Sequence, residues 1–151
     1  MRKTIISDTS CLIVLSNIGQ LDLLQNVYGQ IQTTIEIAME FGEPLPIWIE
    51  IKEVNDKYRQ QLLELQIDKG ESSAIALAME TPSSTLILDD SKARKIANQL
   101  GLIYTGTIGI IVKAKLLGII PSIKPVLSKI KETDFRLSSE IELQALKEAN
   151  E

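Results

Sequence analysis

The sequence predicts an α/β sandwich: a mainly parallel central sheet flanked by helices. Three observations carry this. Short apolar runs such as KTII, TLIL and LIYT alternate with longer segments of helical periodicity. Hydroxyl or acidic residues precede those segments and glycines follow them, in the positions of helix caps and stops. The 151 residues, 44% hydrophobic and 24% charged, suffice for one domain with a sizeable core.

Taken in order, KTII (Lys3 to Ile6) is a strand ending at Ser7-Asp8. Thr9 or Ser10 caps the helix that Gly19 closes, and a second short helix near Leu21 to Tyr28 stops at Gly29. Ile31 to Thr33 reads as a brief strand. TTIEIAMEFG reads as a helix, with Thr33 and Glu36 at capping-box spacing and Gly42 as its stop. Pro44 and Pro46 mark a loop, and Ile47 to Val54 reads as an edge strand or a hairpin arm. Lys57 to Gln66 is an amphipathic helix, Gly70 a break, and Glu71 to Glu80 a further helix. After the turn at residues 82–84, TLIL (Thr85 to Leu88) is a strand and Ser91 to Leu100 a helix closed by Gly101. LIYT (Leu102 to Thr105) is the last strand, and Gly106 to Leu117 a helix ending at Gly118. Pro121 and Ser122 open a helix running to about Lys131. A polar C-terminal helix occupies about 138–149, with Ser139 and Glu142 at capping-box spacing.

Composition narrows the chemistry. There is no histidine, so no Ser-His-Asp triad, Cys-His dyad or histidine-bearing zinc site can be built. The single cysteine, Cys11, lies in an apolar run; it reads as a core residue, and one cysteine forms no internal disulfide, which fits a reducing cytoplasm. The basic start at Met1-Arg2-Lys3 is not read as a signal peptide, because Asp8 interrupts the apolar stretch. GTIGIIVKAKLLGII is broken by Lys113 and Lys115 and is too short to span a bilayer, so no membrane partner is expected. Net charge is −4, unevenly spread: residues 1–80 carry 6 basic and 12 acidic side chains, residues 81–151 carry 10 and 8. No acid stands between Ser91 and Lys131, where eight basic residues do, including Lys92, Arg94, Lys95 and Lys113. A local positive field beside an acidic site suits a phosphodiester substrate.

In parallel sheets ligands bind beyond the carboxyl ends of the strands. Asp8 falls at that end of the first strand, and Asp89 and Asp90 at that end of TLIL; if those strands are neighbours, the three acids share a crevice. Because Thr9 and Ser10 can also cap the first helix, Asp8 is expected to be a metal ligand. Asp90 can cap the Ser91 helix, which leaves Asp89 spare and aimed into the crevice. Glu36 has a place in the capping box; Glu40, four residues on, has no visible structural task and is taken as functional. Glu71, in a first helical turn, suits the helix dipole as well as a site. Carboxylates crowded together repel and shift each other's pKa upward, and a divalent cation relieves this. With only oxygen donors at hand, Mg²⁺ or Mn²⁺ is the expected cofactor, activating water and orienting a phosphate.

These motifs, in this order, resemble the PIN domain over about residues 3–131: SDTS after the first strand, Glu40 in IEIAMEFG, GESSAIALA, and LILDD before a basic helix. EFGEPLPIWI, KGESSAIALA, LDDSKARKIA and TGTIGIIVKAK are closest to small prokaryotic members, many of them toxins of VapBC-like toxin–antitoxin pairs. The resemblance implies a PIN-like three-layer sandwich and a metal-dependent endoribonuclease. It implies Asp8 as the first acid, Glu40 as the second and Asp89 with Asp90 as the fourth-position group, with Ser10 as the small hydroxyl beside the first. The pattern departs at the third acid, where an aspartate is usual and Glu71 is the nearest acid. Lys92, Arg94, Lys95 and Lys113 would then steer the RNA backbone. Thr105 and Thr107 read as helix-cap residues rather than substrate contacts. An antitoxin peptide is the implied partner, with an arginine reaching the carboxylates. The C-terminal helix and the Trp48 region are candidate faces for a homodimer or larger homo-oligomer. Two other classes compete. One is a PIN-fold module that binds RNA or an antitoxin with weakened catalysis. The other is a receiver-like phosphoacceptor, which wants its paired acids after the first strand and here would have them after a late one.

Overall fold

The computed structural model describes residues 3–151; Met1 and Arg2 of the basic start lie outside the described residues. Five strands form one sheet: β1 (Thr4–Ser7), β2 (Ile31–Thr34), β3 (Ile49–Lys52), β4 (Ser84–Ile87) and β5 (Ile103–Thr105). Their spatial order is β3-β2-β1-β4-β5, and every pairing among the described residues is parallel. The central strands are apolar and buried on both faces, as a helix-covered parallel sheet requires: Ile5, Ile6, Leu86 and Ile87 are all buried. Nine helices flank the sheet among the described residues, giving the three layers of the expected α/β sandwich.

Chain order and spatial order diverge at one place. The chain steps outward from β1 through β2 to β3, then returns to lay β4 on the other side of β1, with Ser7 opposite Ile87. Neighbouring crossovers therefore leave the β1–β4 junction in opposite directions, which opens a crevice beyond the carboxyl ends of these two strands. The two strands are neighbours, so Asp8 and Asp89 stand side by side there.

The helices are α1 (Thr9–Asn17), α2 (Asp22–Tyr28), α3 (Ile35–Phe41), α4 (Lys57–Glu64), α5 (Lys69–Met79), α6 (Ser91–Gln99), α7 (Thr107–Leu116), α8 (Lys124–Lys131) and α9 (Ser139–Glu148). Several local expectations shift. Thr34, not Thr33, caps α3 by accepting from Ile37 N, because Thr33 is the last but one residue of β2 and gives its hydroxyl to Ser7 O. Glu36 is therefore not in a capping box; it meets Gln60 at 2.8 Å and Lys57 at 3.9 Å. Ser138 rather than Ser139 caps α9. Within the 47–54 segment only Ile49–Lys52 form a strand, the edge strand β3, parallel to β2 and not a hairpin arm. Asp68 caps α5, so Gly70 lies inside the first turn and does not break the helix.

The core is one cluster from Ile5 to Ala149, with Cys11 fully buried and Trp48 packed against its edge. α9 is held to it by Ala145 and Ala149, and by Lys115 donating to Ala149 O at 2.9 Å. Among the described residues no helix is long and apolar enough to cross a membrane.

Candidate active site

Asp8 follows β1 directly and is 2% exposed. It is the N-cap of α1: Oδ1 accepts from Cys11 N at 2.9 Å. Thr9 and Ser10 do not take that place, because both are drawn to other acids. Oδ2 accepts from Asp89 N at 2.9 Å, so one carboxylate joins β1, α1 and the end of β4. Burial pushes the Asp8 carboxyl well above its ordinary range, and the charge of Asp89 adds to this; the two N–H donors oppose it.

Asp89 is not a spare acid. Its Oδ1 accepts from Thr107 N at 2.8 Å, and its Oδ2 accepts from Thr107 Oγ1 at 2.6 Å and Ser10 Oγ at 2.9 Å. The N-cap of α7 is Gly106, which has no side chain to supply an acceptor, and Asp89, just beyond the end of β4, supplies it. Gly106 is needed: a Cβ there would overlap Arg94 Nη2 and stand 3.0 Å from Asp89 Oδ1. Asp90 caps α6 by accepting from Ala93 N at 2.9 Å and is otherwise exposed.

Glu71 is the third residue of α5 and is half-buried. Burial, then the charges of Asp68 and Asp90, push it up to about 7. Glu40 stands on the rim, on α3, and accepts from Thr9 Oγ1 at 3.4 Å. Its carboxyl is raised by burial and by Asp68. Helix α5 passes so close that a Cβ at Gly70 would overlap Glu40 Oε1. Asp68 is a sixth acid, absent from the set expected above, although Asp68 and Glu71 have capping-box spacing. Neither Thr105 nor Thr107 caps α7: Thr105 ends β5, Gly106 is the N-cap, and Thr107, the first helical residue, gives its hydroxyl to Asp89.

The basic residues divide. Lys92 and Lys95 are exposed on the first turns of α6, next to Asp90, and neither is in an ion pair among the described residues. Arg94 is tied down: its Nε donates to Leu88 O at 2.5 Å and its guanidinium lies 5.3 Å from the Tyr104 ring centre. Lys113 lies 4.8 Å over the Tyr28 ring, in the last turn of α7. That is about 9 Å along the helix from Thr107, away from the carboxylates.

Asp8, Asp89, Asp90 and Glu71 thus surround the β1–β4 junction, with Glu40 and Asp68 on its rim. Among the described residues no Lys or Arg forms an ion pair with any of these six. Nor do three acidic, cysteine or histidine side chains converge closely enough to hold a metal ion. The donor set fits a hard divalent cation by its chemistry: all oxygen, strongly acidic and uncompensated by protein cations. Asp8 and Asp89 are fixed by their donors, whereas Glu71 is half-buried and Asp90 exposed, so these two could turn inward to a cation.

This geometry has consequences for pH dependence and for Gly70. Without divalent cations, Glu71 binds its proton more tightly folded than unfolded, so its stabilising effect is complete below about pH 4.5 and lost as pH rises to about 7. Melting temperature in EDTA should fall across that interval, and Glu71→Gln should flatten the fall; an unchanged slope in the variant would assign it elsewhere. Gly70→Ala should fold with stability within about 1 kcal/mol of wild type, since alanine favours the helix, the overlap is with the flexible end of Glu40, and Thr9 Oγ1, at 3.3 Å, has only to give slightly. It should nonetheless reduce activity, because Glu40 is pushed off Thr9; thermal melts beside turnover rates separate the two effects.

Residues 4–151 match a family model described as DUF3368, a PIN domain. The match runs past the motif-bearing stretch and takes in α9. No curated protein matches the chain.

Proposed function

Since the chain belongs to the PIN domain family, whose members are generally nucleases, we propose that it is a metal-dependent endoribonuclease, the toxin of a toxin–antitoxin pair. One observation supports the reading above others. Asp8 is buried at the strand-order switch point, bonded to the backbone of Asp89, with Glu71 and Asp90 charging the same crevice and no protein cation answering them. A bound Mg²⁺ or Mn²⁺ would supply activated water and offset charge on the leaving oxygen.

The chain's own residues do the positioning. Asp8 and Asp89 form the rigid pair, held by backbone and hydroxyl donors, and Asp90 and Glu71 close over the site from α6 and α5. Lys92 and Lys95 present exposed ammonium groups beside it, where a phosphate backbone would pass. The double variant Lys92→Ala/Lys95→Ala should weaken single-stranded RNA binding similarly for all sequences. Its plot of log affinity against log salt should be shallower by about 0.7 for each phosphate that the lysines cease to neutralise. An unchanged slope would remove these lysines from the interface.

The test is cleavage of a mixed RNA pool with Mg²⁺ or Mn²⁺, with and without EDTA, beside Asp8→Asn purified identically. Metal-dependent cleavage absent from the variant supports the reading; equal cleavage by both proteins refutes the site. The toxin role is tested by expression in a bacterial host: growth arrest relieved by a small neighbouring reading frame supports it. Self-association through α9 and the Trp48 region belongs to the same proposal and is read by light scattering.

A second reading, a binding module of the same fold with weakened catalysis, is favoured by the three donors that already occupy Asp89 and the lack of a converged acidic triplet among the described residues. RNA binding without cleavage at any Mg²⁺ or Mn²⁺ concentration would establish it.

A further inference from the structure

Next to the acidic crevice lies a separate, half-open cavity of about 370 Å³, lined from β5, α6, the first turns of α7, the segment before α9, and α9 itself. Asp89 is the wall that the two share. The remaining lining is unlike the crevice. Tyr104 and Phe135 supply aromatic rings, Ile108 and Val112 an apolar floor, and Arg94 and Arg136 two guanidinium groups.

Arg94 has its Nε on Leu88 O and lies over Tyr104. That layering holds a flat cationic plane in place, whereas a free arginine would lose its side-chain freedom on binding. Arg136 is exposed and, like Arg94, in no ion pair among the described residues. The cavity also carries Glu148, so with Asp89 its two acids balance its two arginines. A wall of no net charge is a poor trap for a bare anion. Aromatic and guanidinium planes over an apolar floor instead suit a flat heterocycle that carries one negative group. The size is right for one such unit and too small for a folded partner.

We propose that this cavity is a nucleotide subsite, which receives one unstacked base of single-stranded RNA and places the adjoining phosphodiester at Asp89. The base lies against the Arg94–Tyr104 layer and Phe135, and Arg136 meets a phosphate at the mouth. The inference rests on the ribonuclease reading for its substrate, but its geometry is that of a different site. It names Tyr104, Phe135 and Arg136 as specificity residues, none of which belongs to the acidic cluster.

The test measures binding without turnover. The full chain in EDTA is titrated calorimetrically with the four nucleoside 5′-monophosphates and, separately, with inorganic phosphate. The variants are Phe135→Ala, Arg136→Ala and Ile141→Trp, the last filling the cavity from an exposed position on α9. Expected are saturable binding of at least one nucleotide, none of phosphate, and about a 10-fold weakening in each variant, the scale of removing one stacked ring. Circular dichroism confirms that each variant is folded; if Phe135→Ala is not, Arg136→Ala and Ile141→Trp decide alone. Binding of phosphate as tightly as nucleotide, nucleotide binding unchanged in the folded variants, or no nucleotide binding at all overturns the subsite. Cleavage of the RNA pool by the same proteins keeps the two readings apart. Cleavage with unchanged KM and cut positions in the variants refutes the subsite and leaves the nuclease. Nucleotide binding abolished in the variants, in a protein that never cleaves, retains the subsite and refutes the nuclease.

Discussion

Asp8→Asn should abolish cleavage, by on the order of 10²-fold or more, the scale of removing one preorganised charge from a site. It should do so with little change in metal-free stability. The asparagine oxygen still caps α1 through Cys11 N, and the buried charge is gone. Against that, the amide nitrogen faces Asp89 N, so the second hydrogen bond is broken. These opposing effects are each about 1–3 kcal/mol and offset in large part. The decisive readout is therefore linked to metal and not to activity. A ligand bound only by the folded state stabilises it by about 2.7 kcal/mol at a hundred times its dissociation constant. For a chain of this size that is roughly 5–11 °C in melting temperature. Mn²⁺ should raise the wild type by such an amount and leave Asp8→Asn unmoved. Equal shifts in both proteins would place the cation elsewhere.

Asp89 separates bracing from chemistry. Asp89→Ala removes the acceptor of Thr107 N, Thr107 Oγ1 and Ser10 Oγ at once, and Thr107 is wholly buried. The start of α7 then has no cap from any side chain. The expected loss is about 2–4 kcal/mol, or roughly 5–15 °C in melting temperature. Asp89→Asn keeps an oxygen for Thr107 N, and its amide can donate to the two hydroxyls, which rotate to accept. It should fold within about 1 kcal/mol of wild type and fail to cleave. If Asp89→Asn cleaves normally, Asp89 is a brace and no part of the chemistry. If Asp89→Ala melts with the wild type, the brace is refuted.

Periodicity and local punctuation are properties of neighbouring residues, and they are why the elements are legible in the sequence. The apolar runs in KTII and TLIL become the buried central strands and LIYT an edge strand, and glycines at 19, 29, 42, 101 and 118 end segments with the positive φ that favours them. The absence of histidine by itself removes every histidine-based triad, dyad and zinc site and leaves acid–base work to carboxylates, lysines, tyrosines or metal-bound water. The positions of Asp8, Asp89 and Asp90 at strand ends already mark the crevice, given a parallel sheet.

What the sequence leaves open is which of two equivalent local solutions is used. Thr33 and Thr34 can both cap a helix, as can Asp8, Thr9 and Ser10. The choice falls to partners far along the chain: Thr33 is taken by Ser7 O, Ser10 by Asp89, 79 residues away, and Asp8 by Asp89 N, 81 residues away. Gly70 reads as a helix breaker until Glu40, on another helix, is seen to occupy the space of its missing side chain. Arg94 and Lys113 read as one basic set, yet one is stacked inside a cavity wall and the other lies over Tyr28. The sequence by itself determined the elements, the class of fold and the exclusion of histidine chemistry, because propensity, capping and composition act over a few residues. Only the tertiary structure decided that Asp89 is a clasp, that Asp68 joins the rim and that Phe135 and Arg136 line a cavity, because each depends on groups brought together from distant parts of the chain.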